Sequence, residues 1–388
     1  MAADQREPNS IVLAAGGTGG HLFPAQALAE ELKRRGYGVH LITDSRGRDF
    51  GGEFPATRVF DVPSATLSLG QPWSLPINLL QLWRGYNISK TILLQLRPQV
   101  VVGFGGYPSV PPLAAATRLR LPTIVHEQNA VMGRANRAMA KRASAIASSF
   151  PSIFNLSPSL KKKLELTGNP VRSQVLKFAR SPYDQPAADR TFKLLVFGGS
   201  QGAKFLSQTV PLAIADLAGP IRRKLKITQQ CREEDVGPVK ARYEEMGIDH
   251  EVQAFFSDLP RRIAGAHLVI CRSGASTIAE LAVIGRPAIL VPLPHAVDND
   301  QLRNAESFAS AGAGWLLRQE SLSAESLAAL ITSLRYHESG LAEAASAALE
   351  IGRPNAAELL ADVVERFATA PVKELVTDNV GLHHEVTP

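Results

Sequence analysis

Twice in this chain an apolar run ends in a cluster of glycines, and an amphipathic segment starts at once. The first join is SIVLAAGGTGG, continuing as HLFPAQALAEELKRRG. The second is KLLVFGGSQGA at residues 193–203, after which Leu206, Val210, Ile214 and Leu217 recur at helical spacing. A strand feeding a helix through a glycine turn is the opening β-α join of a parallel sheet, so two of them describe an α/β chain with two parallel-sheet domains. The length agrees, since 388 residues suffice for two cores of roughly 150–200 residues each. Glycine lets a backbone approach a ligand closely, and a helix start offers unpaired N–H donors, so each join, taken singly, is either a seat for a phosphate or only a tight turn of a βα unit. Two seats at matched positions suggest opposite faces of one interdomain cleft.

Neither join is a standard nucleotide fingerprint. No lysine follows the first loop as a Walker A motif requires. A dinucleotide pattern begun at Gly17 meets Leu22 where its last glycine belongs, and one begun at Gly16 fails at Thr18. A dinucleotide oxidoreductase is thereby disfavoured. Only Cys231 and Cys271 are present, which excludes a disulfide scaffold and a CxxC metal knuckle and suits a reducing compartment. The histidines are scattered and no DxD pair stands at a strand end, so no dedicated metal site and no cofactor are expected. The start, MAADQREPNS, has no basic region before a hydrophobic segment, and no signal peptide is expected. No run reaches the 18 or so apolar residues of a membrane span.

The net charge of +6 is unevenly placed. Residues 1–165 hold 19 Lys and Arg against 10 Asp and Glu, whereas the remainder holds 23 against 26. Such a field suits an anionic lipid surface or nucleic acid, and equally a solvated face with no partner. No aromatic RNP pattern or recognition-helix motif accompanies it, so no nucleic acid is expected. Within the basic part, QPWSLPINLLQLWRGY (71–86) clusters Trp73, Leu75, Ile77, Leu79, Leu80, Leu82 and Trp83. Its two readings are ordinary helix packing and an exposed apolar patch that dips into an anionic bilayer surface.

Further strands are expected at 39–43, 99–104, 122–127 and 145–150, and in the second half at 225–230, 250–255, 266–272 and 287–293. Residues 73–96 and about 323–366 carry helical periodicity, and SPYDQPAADR (181–190) reads as the approach to a new domain. His21, at the end of the first loop, is suited by residue type to take a proton near neutral pH, and equally to a structural hydrogen bond. In CRSGASTIAELAVIGRPAILVPLP (271–294) a strand, a glycine turn and a helix bring Glu280 within the first turns of that helix, where a carboxylate can accept from ribose hydroxyls. HAVDNDQLRNAE (295–306) supplies Asp, Asn and Gln groups able to read sugar hydroxyls.

Taken together, GGTGGHLFP, HEQN (126–129), GNPVR (168–172), GGSQGA (198–203), CRSGASTIAE (271–280) and DNDQxxNA (298–305) resemble the MurG family of peptidoglycan N-acetylglucosaminyltransferases. Six motifs in family order, from about residue 10 to about 360, carry the resemblance. It implies a GT-B fold, two Rossmann-like domains facing across a cleft. The implied division is an acceptor- and membrane-facing domain over 1–168, a UDP-GlcNAc-binding domain over 169–345, a helix at 346–370 crossing back to the first domain, and a flexible tail at 371–388. The implied reaction is inverting transfer of GlcNAc from UDP-GlcNAc to the C4 hydroxyl of MurNAc in undecaprenyl-pyrophosphoryl-MurNAc-pentapeptide.

Carried over position by position, Ser200, Gln201 and Gly202 would cradle the donor diphosphate, with Arg172 adding positive charge. Phe256 would hold the uracil edge through its backbone, Glu280 the ribose, and Gln301 and Asn129 the GlcNAc. Thr18, Gly19, Gly20 and Tyr107 would face the acceptor, and His21 would be the base, a carboxylate or a water relay being the alternatives. Asp300 stands where the family usually has His or Gln, and is expected to face a sugar hydroxyl or solvent. The implied partners are the two substrates, an anionic membrane surface and other cell-wall synthesis proteins. The implied location is the cytoplasmic face of the bacterial inner membrane, held peripherally.

Overall fold

Alternate residues along each central strand enter different cores. In the computed structural model, which describes residues 9–16, 19–49, 54–65, 75–187, 190–199, 202–294, 297–337 and 340–368, Ile11 and Leu13 of β1 (Ser10–Ala14) point to one side of a sheet. Val12 points to the other. Both faces are apolar because helices cover both, the pattern of a buried parallel sheet. Thr18, Ser200, Gln201, Trp73 and the tail at 371–388 lie outside the described residues.

The first sheet adds β2 (Gly38–Thr43), β3 (Arg58–Asp61), β4 (Val100–Gly103), β5 (Thr123–Glu127), β6 (Ala145–Ser148) and β7 (Leu164–Leu166), all parallel, in the order β3-β2-β1-β4-β5-β6-β7. The second consists of β8 (Phe192–Phe197), β9 (Leu225–Gln230), β10 (Asp249–Gln253), β11 (Leu268–Cys271), β12 (Ala288–Leu290) and β13 (Gly314–Leu316), in the order β10-β9-β8-β11-β12-β13. Each order reverses beside its first strand, between β1 and β4 and between β8 and β11. A ligand crevice opens at such switch points, outside the carboxyl ends of the strands. Both glycine clusters follow those first strands. The two Rossmann-like sheets make a GT-B fold.

The central strands fall where the sequence places them. The strands it misses, β3, β7 and β13, are sheet edges of three or four residues with partly or fully exposed side chains. They never accumulate the apolar run that marks a buried strand. The helical stretch near the C-terminus divides into three helices. Ala324–Tyr336 packs on the helix Lys204–Ala215, and Gly340–Ile351 on Ala275–Ile284, all on the second sheet. Ala356–Ala368 packs on the first helix, Gly19–Arg34, so the chain returns to the first sheet at residues 352–355.

Leu360, Ala361 and Val364 of that last helix are fully buried in the first sheet's core. Arg35 fastens its outer side, donating to Glu31 (2.6 Å), Asp362 (2.7 Å), Glu365 (2.6 Å) and the Glu358 carbonyl (3.1 Å). The burial of Leu360 predicts that Leu360→Ala lowers the unfolding free energy by about 2–5 kcal/mol through lost apolar contact and a residual cavity, measurable by urea denaturation. A loss under about 0.5 kcal/mol would mean that the helix lies on the first sheet without contributing to its core.

Candidate active site

The loops after β1 and β4 interlock. A Cβ on Gly16 would stand 2.8 Å from Pro108 Cβ and 3.0 Å from Asp44 Oδ1, so no side chain fits there. Gly105 and Gly106 have φ of 83° and 71°, a left-handed conformation that costs glycine little. Their missing side chains admit the His21 ring. A Cβ at Gly105 would lie 3.3 Å from His21 Cε1, and one at Gly106 3.3 Å from Cδ2. Gly19 and Gly20 open the first helix, whose first turn holds no acidic residue and whose last turn holds Lys33 and Arg34. That polarity suits an anion at the N-terminus. Tyr107, half-buried, starts the short turn Tyr107–Ser109 beside them.

Behind His21 lies a buried polar chain from the HEQN motif. Gln128 Nε2 donates to the Phe104 carbonyl (2.8 Å) and to His126 Nδ1 (3.1 Å). Since His126 Nδ1 accepts, its proton sits on Nε2, which donates to the Gly168 carbonyl at 3.2 Å. Gln128 Oε1 and His21 Nδ1 are both buried without a well-formed partner. Burial is the largest influence on His21 and lowers its pKa, partly offset by the Phe104 carbonyl and Gln128. Burial likewise brings His126 down to about 4, with His21 acting in the same direction. Glu127 accepts from Asn129 N (3.0 Å), Gly133 N (3.0 Å) and Asn136 Nδ2 (2.8 Å) and so shapes the loop after β5. Burial nevertheless raises its pKa.

On the second sheet, Gly199 and Gly202 have φ of 88° and 68°, and Gly202 N donates to the Gly199 carbonyl at 3.0 Å. A Cβ on Gly198 would meet Ala203 N at 2.3 Å, so this turn too is closed to side chains. After β11, Arg272 is held by the carbonyls of Val291 and Pro292 (3.0 Å each) and by Gln319 (2.7 Å), a loop-building role. Gln301 Oε1 accepts from Leu293 N at 3.0 Å. Asp300, expected toward a sugar hydroxyl or solvent, is half-buried; its Oδ1 accepts from Gln301 N at 2.7 Å, and burial raises its pKa. The Phe256 ring is buried with the Arg262 guanidinium 4.0 Å above it.

The two units meet through these motifs. Asn304, fully buried, accepts from Ala130 N (2.8 Å) and donates to Asn129 Oδ1 (2.9 Å) and the Ser273 carbonyl (3.1 Å). Asp298 and Asn299 adopt left-handed φ of 61° and 52°, and the Asp298 carboxylate faces Arg134 at 3.6 Å and Arg137 at 3.9 Å. Arg172 lies 4.2 Å from the Phe23 ring centroid and donates to Glu280 at 3.3 Å. Two residues expected on different parts of a donor are thus paired with each other. Burial raises the Glu280 pKa and Arg172 opposes it. Sequence reading gave Asn304 only a collective part, with the other Asp, Asn and Gln groups of 295–306, in reading sugar hydroxyls, and not this tie. A neutral amide flanked by ligand-type residues gives no separate signal. Among the described residues no three His, Cys, Asp or Glu side chains form a group able to hold a metal ion.

Matches to known proteins span the same two units. The glycosyltransferase family 28 N-terminal domain matches residues 11–148 and its C-terminal domain residues 193–360. A UDP-N-acetylglucosamine–N-acetylmuramyl-(pentapeptide) pyrophosphoryl-undecaprenol N-acetylglucosamine transferase from Chelativorans sp. (strain BNC1) is 51% identical, over 95% of this chain and 97% of that protein. A protein of the same description from Mesorhizobium japonicum is 52% identical, over 92% and 95%. The chain belongs to the MurG family. The crystal structure of Acinetobacter baumannii MurG matches with a TM-score of 0.74 at 29% identity, covering 92% of this chain and all of that one. A UDP-GlcNAc 2-epimerase from Neisseria meningitidis, 12% identical with a TM-score of 0.62 over 92% and 100% of the two chains, shares the fold alone. As a MurG-family member the chain is a glycosyltransferase.

The depressed His126 pKa has a consequence for stability. Its folded value is about 4, against about 6.5 in the unfolded chain, so the unfolded state binds a proton first as pH falls. The stability His126 contributes is intact above pH 6.5 and drains away on acidification, reaching its full loss below pH 4. That loss is roughly 3 kcal/mol at 1.4 kcal/mol per pKa unit. His126→Gln should therefore flatten the fall of unfolding free energy between pH 6.5 and 4, measured by urea titration at several pH values. Parallel profiles for both proteins would show that His126 titrates normally.

Proposed function

We propose that this enzyme transfers GlcNAc from UDP-GlcNAc to the C4 hydroxyl of MurNAc in undecaprenyl-pyrophosphoryl-MurNAc-pentapeptide, with inversion. The observation that carries the reading is the meeting of both motif sets at one seam, Asn129 of HEQN bonded to Asn304 of DNDQxxNA. Identity of about half the residues to the two curated transferases, over nearly the whole chain, supports the same reaction.

The acceptor hydroxyl oxygen forms its bond to the anomeric carbon from the face opposite UDP. The bond from that carbon to the diphosphate oxygen breaks, and its electron pair leaves with UDP. The hydroxyl proton passes to His21. With Nδ1 buried near the Phe104 carbonyl and Gln128, a proton held on Nδ1 leaves the Nε2 lone pair as the base. A depressed pKa keeps the ring neutral at physiological pH. The departing diphosphate is assigned to the helix start after the second glycine turn, with Ser200, Gln201 and Gly202, and to Arg172. Glu280 then accepts from the ribose, which requires the donor to divide the Arg172–Glu280 pair between its diphosphate and its sugar. Phe256, Gln301 and Asn129 complete the donor side. Thr18, Gly19, Gly20 and Tyr107 face the acceptor.

A polyprenyl tail demands work at a bilayer, and the helix Leu75–Leu96 offers the surface for it. Ile77 and Trp83 are 61% and 63% exposed, Leu79, Leu80 and Ile88 are exposed with them, and Arg84 shares that face. An apolar stripe of this size with a cationic neighbour binds an anionic interface reversibly. Among the described residues no helix is long and apolar enough to cross a membrane. The location we propose is peripheral, on the cytoplasmic face of the inner membrane, a face supported by the family and not by the fold.

Incubation with UDP-GlcNAc and a lipid-linked MurNAc acceptor should release UDP and yield the disaccharide, with His21→Ala lowering kcat at least a hundredfold while donor Kd changes little. Consumption of the donor without acceptor overturns the transfer reading, and an unchanged kcat removes His21 from the base role. For the membrane surface, the protein should pellet with phosphatidylglycerol vesicles at low salt and be partly released at high salt. Ile77→Glu/Trp83→Glu should abolish pelleting. Wild-type protein that stays in the supernatant at low salt would return the helix to a purely structural role.

A further inference from the structure

Two buried residues of HEQN, His126 on β5 and Gln128 just after it, stand behind His21 and take no part in the chemistry above. The orientation of the Gln128 amide is fixed. Its Nε2 lies 2.8 Å from the Phe104 carbonyl oxygen and 3.1 Å from His126 Nδ1. A flipped amide would set two carbonyl oxygens at the 2.8 Å separation, so the nitrogen belongs there and Oε1 is left as a pure acceptor. His126 is held in turn, because its Nε2 donates to the Gly168 carbonyl at 3.2 Å and leaves Nδ1 to accept. Each link donates toward Gly168, and both protons of the Gln128 amide are already in use.

His21 stands at the other end of this chain. The polar groups acting on its ring are the Phe104 carbonyl and Gln128, and each has only an acceptor to offer. His21 is half-buried as a residue whereas its Nδ1 is buried, so the accessible part of the ring lies away from these two groups. The titratable groups around it are His126, Tyr107 after Gly106, Asp44 behind Gly16, and Glu127. Both carboxylates are committed elsewhere. Asp44 accepts from Gly47 N (3.0 Å) and Arg46 (2.8 Å), and Glu127 from Asn129, Gly133 and Asn136. Arg172 lies over Phe23 and pairs with Glu280.

We propose that Gln128, braced by His126, is the positioning residue for the base, holding the His21 proton on Nδ1 and so presenting the Nε2 lone pair to the acceptor hydroxyl. Its part in turnover rests on His21 being the base, as read above; the tautomer does not. When the hydroxyl proton reaches Nε2 the ring becomes a cation, and its Nδ1–H then faces two neutral acceptors. A carboxylate there would hold that cation more tightly and slow the return of the ring to its neutral form.

The tautomer is read without substrates, from long-range proton–nitrogen spectra of the full chain labelled with 15N-histidine at about pH 8, where the ring is neutral. His21→Ala assigns its signals. Nδ1 should carry the proton and Nε2 none, and a ring protonated on Nε2 overturns the inference. Gln128→Met keeps the side-chain length and removes both polar atoms. With UDP-GlcNAc and the lipid-linked acceptor it should lower kcat at least about tenfold with little change in donor KM. It should also move the acid limb of kcat/KM to lower pH by about half a unit or more. Gln128 raises the His21 pKa, so without it the ring stays neutral to lower pH. His126→Asn keeps an acceptor for Gln128 Nε2 and should retain about a third of kcat or more, whereas His126→Leu should fall toward Gln128→Met. An acid limb that Gln128→Met leaves in place overturns the positioning role, even where kcat drops through lost structure. A failed transfer reading shows itself separately, as UDP released without acceptor or as an unchanged kcat in His21→Ala.

Discussion

One side-chain amide joins the working ends of the two sheets. Asn304 accepts from a backbone N–H of the β5 loop and donates both to Asn129 of that loop and to the Ser273 carbonyl after β11. It is fully buried, so breaking any of these bonds without replacing it leaves a desolvated polar group. The two glycine bends belong to different cores, and this tie fixes their relation together with Asp298 facing Arg134 and Arg137 and Arg172 over Phe23. Aspartate at this position would lose the donors, and leucine would lose everything but the volume. Two of its three hydrogen bonds, with Ala130 N and Asn129 Oδ1, cross between the units, and the third holds it to its own.

Charge is arranged differently on the two sides of that tie. Around His21 the ionisable groups are buried and biased toward neutrality: His21 and His126 downward, Glu127 upward. On the donor side, Arg172 and Glu280 face each other as an ion pair at 3.3 Å, with Arg172 half-covered by Phe23 from the other unit. A partly buried pair is a reservoir rather than a lock, because each partner has lost water and gained only one bond. Arg172 Nε is buried with no partner. An incoming diphosphate and a ribose would supply better partners to each residue than they give one another, so the pair is poised to be exchanged.

Legibility in the sequence followed burial and pattern. The central strands were readable because both faces are covered and nearly every residue is apolar. The edges β3, β7 and β13 were not, because none of their side chains is buried. Glycine loops were readable because only glycine passes Pro108 at residue 16 or Ala203 at residue 198. Side-chain partnerships were not readable at all. Nothing in the letters of GNPVR and STIAE pairs Arg172 with Glu280 across 108 positions, and nothing in DNDQ turns Asp300 back onto its own helix start. Such pairings are decided by which unit faces which, a property of the assembled fold.

The chain passes between the units twice, and the two passages touch. A Cβ on Gly168, in the first, would stand 2.9 Å from Arg353 Cβ and 3.1 Å from Ala356 Cβ in the second. Gly352 is equally confined, 2.4 Å from the Ala282 carbonyl oxygen by the same construction. The first passage thus packs on the side chains of the second at Gly168, and the second packs on the helix Ala275–Ile284 at Gly352. His126 Nε2 is anchored on the carbonyl of that same Gly168. The polar chain behind the candidate base thus runs from the first passage, at Gly168, through His126 and Gln128 to the Phe104 carbonyl in the loop after β4.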